Sequence, residues 1–112
     1  MKFKELRING DIITSRNKIK NTLQSNNFNW LIDAEVEEAI IEIKNDTIIW
    51  HDGIWYSGKW EYGIWKNGEF KSGKWENGIF ESGIFNGNFK TGKVIDGKLN
   101  GDSIKNTVYK KN

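Results

Sequence analysis

The stretch Trp50-His-Asp-Gly-Ile-Trp55-Tyr-Ser-Gly-Lys-Trp60-Glu-Tyr-Gly-Ile-Trp65-Lys-Asn-Gly-Glu-Phe70-Lys-Ser-Gly-Lys-Trp75-Glu-Asn-Gly-Ile-Phe80-Glu-Ser-Gly-Ile-Phe85 sets an aromatic residue at every fifth position. From Trp55 onward a glycine stands two residues before each: Gly53, Gly58, Gly63, Gly68, Gly73, Gly78 and Gly83. The unit is Gly-x-(Trp/Phe)-x-x, and it continues, weakened, through Gly87/Phe89, Gly92/Val94 and Gly97/Leu99. Self-similarity at a fixed short period marks a repeat architecture. A chain that gives half its length to one short repeat builds a surface rather than a catalytic cleft.

The period constrains the backbone. Side chains alternate along an extended strand, so residues i and i+5 point to opposite faces. Eight aromatics in one register therefore require every unit to turn a corner, and glycine, with its access to φ > 0, is the place to turn. Asp52, Ser57, Asn67, Ser72, Asn77 and Ser82, which precede glycines, are turn formers; Tyr62 is the exception. Glycine and aromatic, two apart, share one direction, while Lys59, Glu61, Lys74 and Glu76 point outward.

Two architectures fit. In a quadrilateral β-solenoid four units close a coil, which stacks Trp55 on Trp75, Trp60 on Phe80 and Trp65 on Phe85 as aromatic ladders. In a narrow antiparallel β-meander each x-Gly is a two-residue hairpin turn. The primed turns this needs suit Asn67-Gly68 and Asn77-Gly78 but suit Ser57-Gly58, Tyr62-Gly63 and Ser72-Gly73 poorly. The favoured reading is an all-β repeat protein, a β-solenoid with a short N-terminal α/β addition.

Three regions follow: residues 1–49 with a hairpin, a short helix and lead-in strands; the repeats at 50–101; and a C-terminal cap or tail at 102–112. Asn9-Gly10 between apolar runs signals a hairpin over 1–14. Ser15 is a candidate N-cap for a helix over 15–27, with Ile19 and Leu23 on one face. Phe28, Trp30 and Ile32 alternate like a strand. Asp33–Lys44 fits either a helix or strands forming a first, irregular rung; strands are favoured by the β-branched pairs Ile40-Ile41 and Ile48-Ile49. At Phe85-Asn86-Gly87-Asn88-Phe89 the spacing drops to four, and Val94 and Leu99 replace aromatics, as in a capping end.

Composition narrows the function classes. A net charge of +2 over 112 residues argues against nucleic acid. Without cysteine, neither a disulfide nor a thiolate metal site can form. No apolar run approaches the ~20 residues that cross a bilayer, and Met1-Lys-Phe-Lys-Glu-Leu-Arg lacks a signal-peptide core. The expected location is the cytoplasm, that of the host for a phage-encoded chain, although a virion component reads the same. His51, the only histidine, reads as a solvated turn residue beside Asp52. Residues 33–43 hold Asp33, Glu35, Glu37, Glu38 and Glu42 without a base, while the end from Lys90 is basic; both read as solvated faces. No catalytic, cofactor-binding or metal-binding residue is expected, and the chain does not read as an enzyme.

The run from Trp50 to Gly68 resembles the Gly-x-Trp repeat proteins of bacteriophages and bacteria, and the likeness covers roughly residues 48–99. That resemblance implies a non-enzymatic fold more than a defined role. Tyr56-Ser-Gly-Lys-Trp-Glu-Tyr-Gly also looks like the opening of a MORN repeat, a scaffold family whose longer period is missing here. Pentapeptide-repeat proteins share the five-residue step but place small residues where this chain has glycine.

The leading functional expectation is a protein-binding module, most concretely a small phage-type protein that joins an assembly or inhibits a host complex. Ile54, Ile64, Ile79 and Ile84 each precede an aromatic and so face outward; with Tyr56 and Tyr62 they form a candidate partner-binding strip, for a protein partner or for self-association. The alternatives are a carbohydrate-binding module with exposed aromatics, and a structural virion component.

Overall fold

The computed structural model describes residues 3–110. The chain enters through a hairpin of β1 (Phe3–Ile8) and β2 (Asp11–Ile13), then α1 (Arg16–Ser25) and a single turn α2 (Asn29–Ile32). Asn9 and Gly10 take φ of 51° and 81°, as a primed two-residue turn requires. Ser15 caps α1 by accepting a hydrogen bond from the Lys18 backbone N–H, and Ile19 and Leu23 are buried. Phe28, Trp30 and Ile32 are not a strand. This segment crosses the open end of the coil, where Trp30 packs edge-on to Trp60 at 5.2 Å, and that tertiary contact overrides the alternating pattern.

Two long strands follow, β3 (Glu35–Lys44) and β4 (Thr47–Ser57), paired antiparallel. Each later side of the coil is a two-residue strand ending on an aromatic: β5 (Lys59–Trp60), β6 (Ile64–Trp65), β7 (Glu69–Phe70), β8 (Lys74–Trp75), β9 (Ile79–Phe80), β10 (Ile84–Phe85) and β11 (Asn88–Phe89). The array closes with β12 (Gly92–Leu99) and β13 (Asp102–Tyr109). Parallel pairing stacks these strands into a β-solenoid of about three turns.

Three units close a coil, not four. Trp50 pairs with Trp65 and Trp65 with Phe80 on a first side; Trp55 pairs with Phe70 and Phe70 with Phe85 on a second. On a third side Trp60 pairs with Trp75 and Trp75 with Phe89. The ladders are thus Trp55–Phe70, Trp60–Trp75 and Trp65–Phe80, correcting the quadrilateral pairings Trp55–Trp75, Trp60–Phe80 and Trp65–Phe85. Two causes act together. Corner glycines from Gly58 to Gly83 hold φ between 115° and 140°, which turns the chain sharply. Across the bore, rings meet edge to face, as Trp60–Trp65 does at 5.6 Å and Trp65–Phe70 at 5.8 Å. Three large rings fill the triangle, whereas a fourth side would open a void.

The eight aromatics at the five-residue repeat positions from Trp50 to Phe85 are fully buried. The indole Nε1 atoms of Trp50, Trp55, Trp60, Trp65 and Trp75 have no hydrogen-bond partner. An orphaned N–H costs about 1–3 kcal/mol; the Nε1 atoms of Trp50, Trp60 and Trp75 lie against the corner glycines Gly68, Gly78 and Gly92. The corners are as tight as the bore: a Cβ on Gly73 would lie 2.2 Å from the Gly58 carbonyl oxygen.

Both ends carry an antiparallel strand, β3 on β4 and β13 on β12. Each cap strand contains a left-handed non-glycine residue, Glu38 (φ 54°) in β3 and Asn106 (φ 46°) in β13. The last coil is one residue shorter at Gly87. There the Asn100 side chain accepts from the Gly87 N–H (2.9 Å) and donates to its carbonyl (3.0 Å).

Candidate interaction surface

Because each side of the triangle is one short strand wide, the residue before every aromatic forms an outward row along that side. On the third side the row is Lys59, Lys74 and Asn88, with Glu76 pairing Lys59 (3.7 Å) and Lys90 (3.3 Å). On the second it runs Glu37, Ile54, Glu69, Ile84, Lys98 and Ser103, so charge interrupts every apolar residue. On the first side Glu42 leads to Ile49, Ile64, Ile79, Lys93 and Val108 as successive cross-strand neighbours. Three isoleucines stand there without interruption.

The expected single strip therefore divides. Ile64 and Ile79 lie together on the first side, and Tyr62 flanks them; Ile54 and Ile84 lie on the second, separated by Glu69. The reason is the coil number: residues fifteen apart share a side, and Ile54 and Ile64 are ten apart. Tyr56 joins neither row. Its hydroxyl donates to Glu37 Oε2 at 2.9 Å, and Lys71 Nζ stands 5.4 Å from its ring centre. That hydrogen bond, with desolvation and the charges of Glu37 and Glu69, raises the Tyr56 phenol above its ordinary 10.0.

Tyr62, Ile64, Ile79, Lys93, Val108 and Tyr109 line a shallow groove of about 590 Å³. Tyr62 is 56% exposed, Ile79 37% and Val108 59%; Ile49 and Ile64 are half-buried. Sequence reasoning missed Ile49, Val108 and the bracketing charges Glu42 and Lys93. The signal was present, since Ile49, Ile64 and Ile79 recur at fifteen, but it is invisible while a coil is counted as four units.

His51 is not a turn residue. It lies within β4, half-buried, with Nε2 2.8 Å from Glu42 Oε1. Among the described residues no three His, Asp or Glu side chains converge as a metal site would require, and no helix is long and apolar enough to cross a membrane. No family model matches the chain, and no curated protein or solved structure matches it.

Proposed function

We propose that this protein is a non-catalytic protein-binding module whose contact surface is the first side of the solenoid. The observation that carries this reading is the uninterrupted row Ile49–Ile64–Ile79, bounded along its length by Glu42 and Lys93. An apolar centre with a polar rim is the anatomy of a protein interface. The row sits on backbone hydrogen-bonded from coil to coil, so docking on it costs little ordering entropy. Resemblance to phage Gly-x-Trp repeats supports the concrete version, a small phage-type protein that joins an assembly or inhibits a host complex. Carbohydrate binding draws its main support from tryptophan, and Trp50, Trp55, Trp60, Trp65 and Trp75 are all fully buried.

The test compares Ile64→Lys with Ile84→Lys as baits in a bacterial lysate. A lysine on the first side should abolish partner capture, because a desolvated ammonium at an apolar contact is costly. On the second side it should leave capture intact. Equal capture by wild type and a folded Ile64→Lys would remove the reading.

A further inference from the structure

The first side is self-complementary when reversed, and the geometry points to a second copy of this chain as its occupant, in a two-fold dimer with antiparallel solenoid axes. This rests on the first side being the contact surface. From β3 to β12 the outward row is Glu42, Ile49, Ile64, Ile79, Lys93, with Arg7 and Val108 one rung beyond its two ends. Centred on Ile64, it matches its own inverse: Ile64 meets Ile64 of the second copy, Ile49 meets Ile79, and Glu42 meets Lys93. Successive rungs are about 4.8 Å apart, so the two charges lie roughly 19 Å apart on each copy and register without bending. An isologous interface requires this kind of self-matching patch.

The other sides lack it. Over the same strands, β3 to β12, the second row reverses about Glu69 and so sets one carboxylate against its own copy at the centre, and the third has no apolar residue outward. Parallel axes on the first side would oppose Glu42 to Glu42 and Lys93 to Lys93. His51 holds one Glu42 oxygen through Nε2, leaving the second to accept from the lysine of the partner copy. Arg7, beside Glu42 in the sheet, is engaged by Glu5. Lys66, two residues along the chain from Ile64, faces its own copy, and its exposed side chain can turn into solvent. A side this narrow buries less than a standard interface of about 1,600 Å², so the dimer is weak and concentration-dependent.

Sedimentation velocity over a concentration series reaching about millimolar decides the matter. The wild type should move from monomer to dimer, and added salt should weaken it. Lys93→Glu, at an exposed position, should raise the dissociation constant about ten-fold or more, as should Glu42→Lys. Mixing these two variants should restore a dimer that neither forms alone, because both cross-contacts become opposite-charge pairs. Ile64→Lys should abolish dimerisation, and it tests the interface independently should Glu42→Lys fail to fold. A wild type monomeric throughout, a dimer indifferent to Ile64→Lys, or a folded variant pair that stays monomeric when mixed would each overturn the second-copy assignment. A monomeric wild type whose capture of another protein still depends on Ile64 overturns the dimer and leaves the binding-surface reading intact.

Discussion

Trp50 and Trp65 lie with their ring planes 7° apart and their centroids 4.5 Å apart, although fourteen residues intervene. Trp50 and Trp55, only five apart in sequence, meet edge-on at 64°. Each ring thus stacks along the axis on a residue one coil away and meets its sequence neighbour across the bore. Such ring pairs contribute roughly 0.5–1.5 kcal/mol each beyond burial, so the core gains along two directions at once.

Trp75 contacts rings both along the axis and across the bore, including a stack on Trp60 at 5.0 Å and on Phe89 at 5.1 Å. Trp75→Ala should cost about 3–5 kcal/mol. Trp75→Phe should cost much less, because the indole N–H makes no hydrogen bond and phenylalanine already occupies equivalent places at 70, 80 and 85. Denaturant unfolding measures both. An alanine variant that unfolded alongside the parent would mean the ladders do not hold the fold.

Gly78 has φ 128°, and a Cβ there would sit 2.3 Å from the Gly63 carbonyl oxygen. Gly78→Val combines backbone strain with a clash against main chain and should cost about 2 kcal/mol or more. Lys59→Thr, pointing outward, should change stability by no more than about 0.5 kcal/mol. Similar melting temperatures for the two would show that the corner tolerates a side chain.

Asn100 supplies the shortened last coil with two hydrogen bonds at Gly87. Asn100→Ala should lower stability by about 1 kcal/mol, and hydrogen exchange at the Gly87 amide should accelerate. Unchanged exchange there would show that the side chain is not the cap.

Tyr56 should ionise above the ordinary tyrosine value, held protonated first by its hydrogen bond to Glu37. The sign follows from linkage: a folded-state value above the unfolded one contributes stability below pH ~10 and loses it as pH rises through the folded value. Glu37→Gln removes the carboxylate charge and should return the phenol toward 10.0. Ultraviolet titration of the wild type against Tyr56→Phe isolates this group; a difference curve centred at the ordinary value would refute the contact.

Intact repeat tryptophans should emit blue-shifted fluorescence and resist acrylamide, given their full burial. Emission typical of exposed indole, readily quenched, would contradict the closed bore.

Much was legible in the residues because it depends on local chemistry. Asn9-Gly10 can adopt the turn few other pairs can, Ser15 can cap a helix start, and an aromatic every five residues beside a glycine demands a corner and a buried ring. Trp30 was not legible, since its helical turn exists only to cover the end of the coil at Trp60. Nor were His51 and Glu42, nine residues apart, joined only by the pairing of β3 with β4.

By itself the sequence determined that each five-residue unit turns a corner at glycine and buries its aromatic ring, and it favoured a solenoid over a meander without deciding between them. The number of sides was decided only in three dimensions, because it depends on how sharply successive glycine corners turn and how many rings fill one cross-section. That number sets which outward residues become neighbours. With three sides, Ile49, Ile64 and Ile79 align between Glu42 and Lys93, while Ile54 and Ile84 fall on another side with Glu69 between them. The surface is a consequence of the coil count, and the coil count is a property of non-local packing.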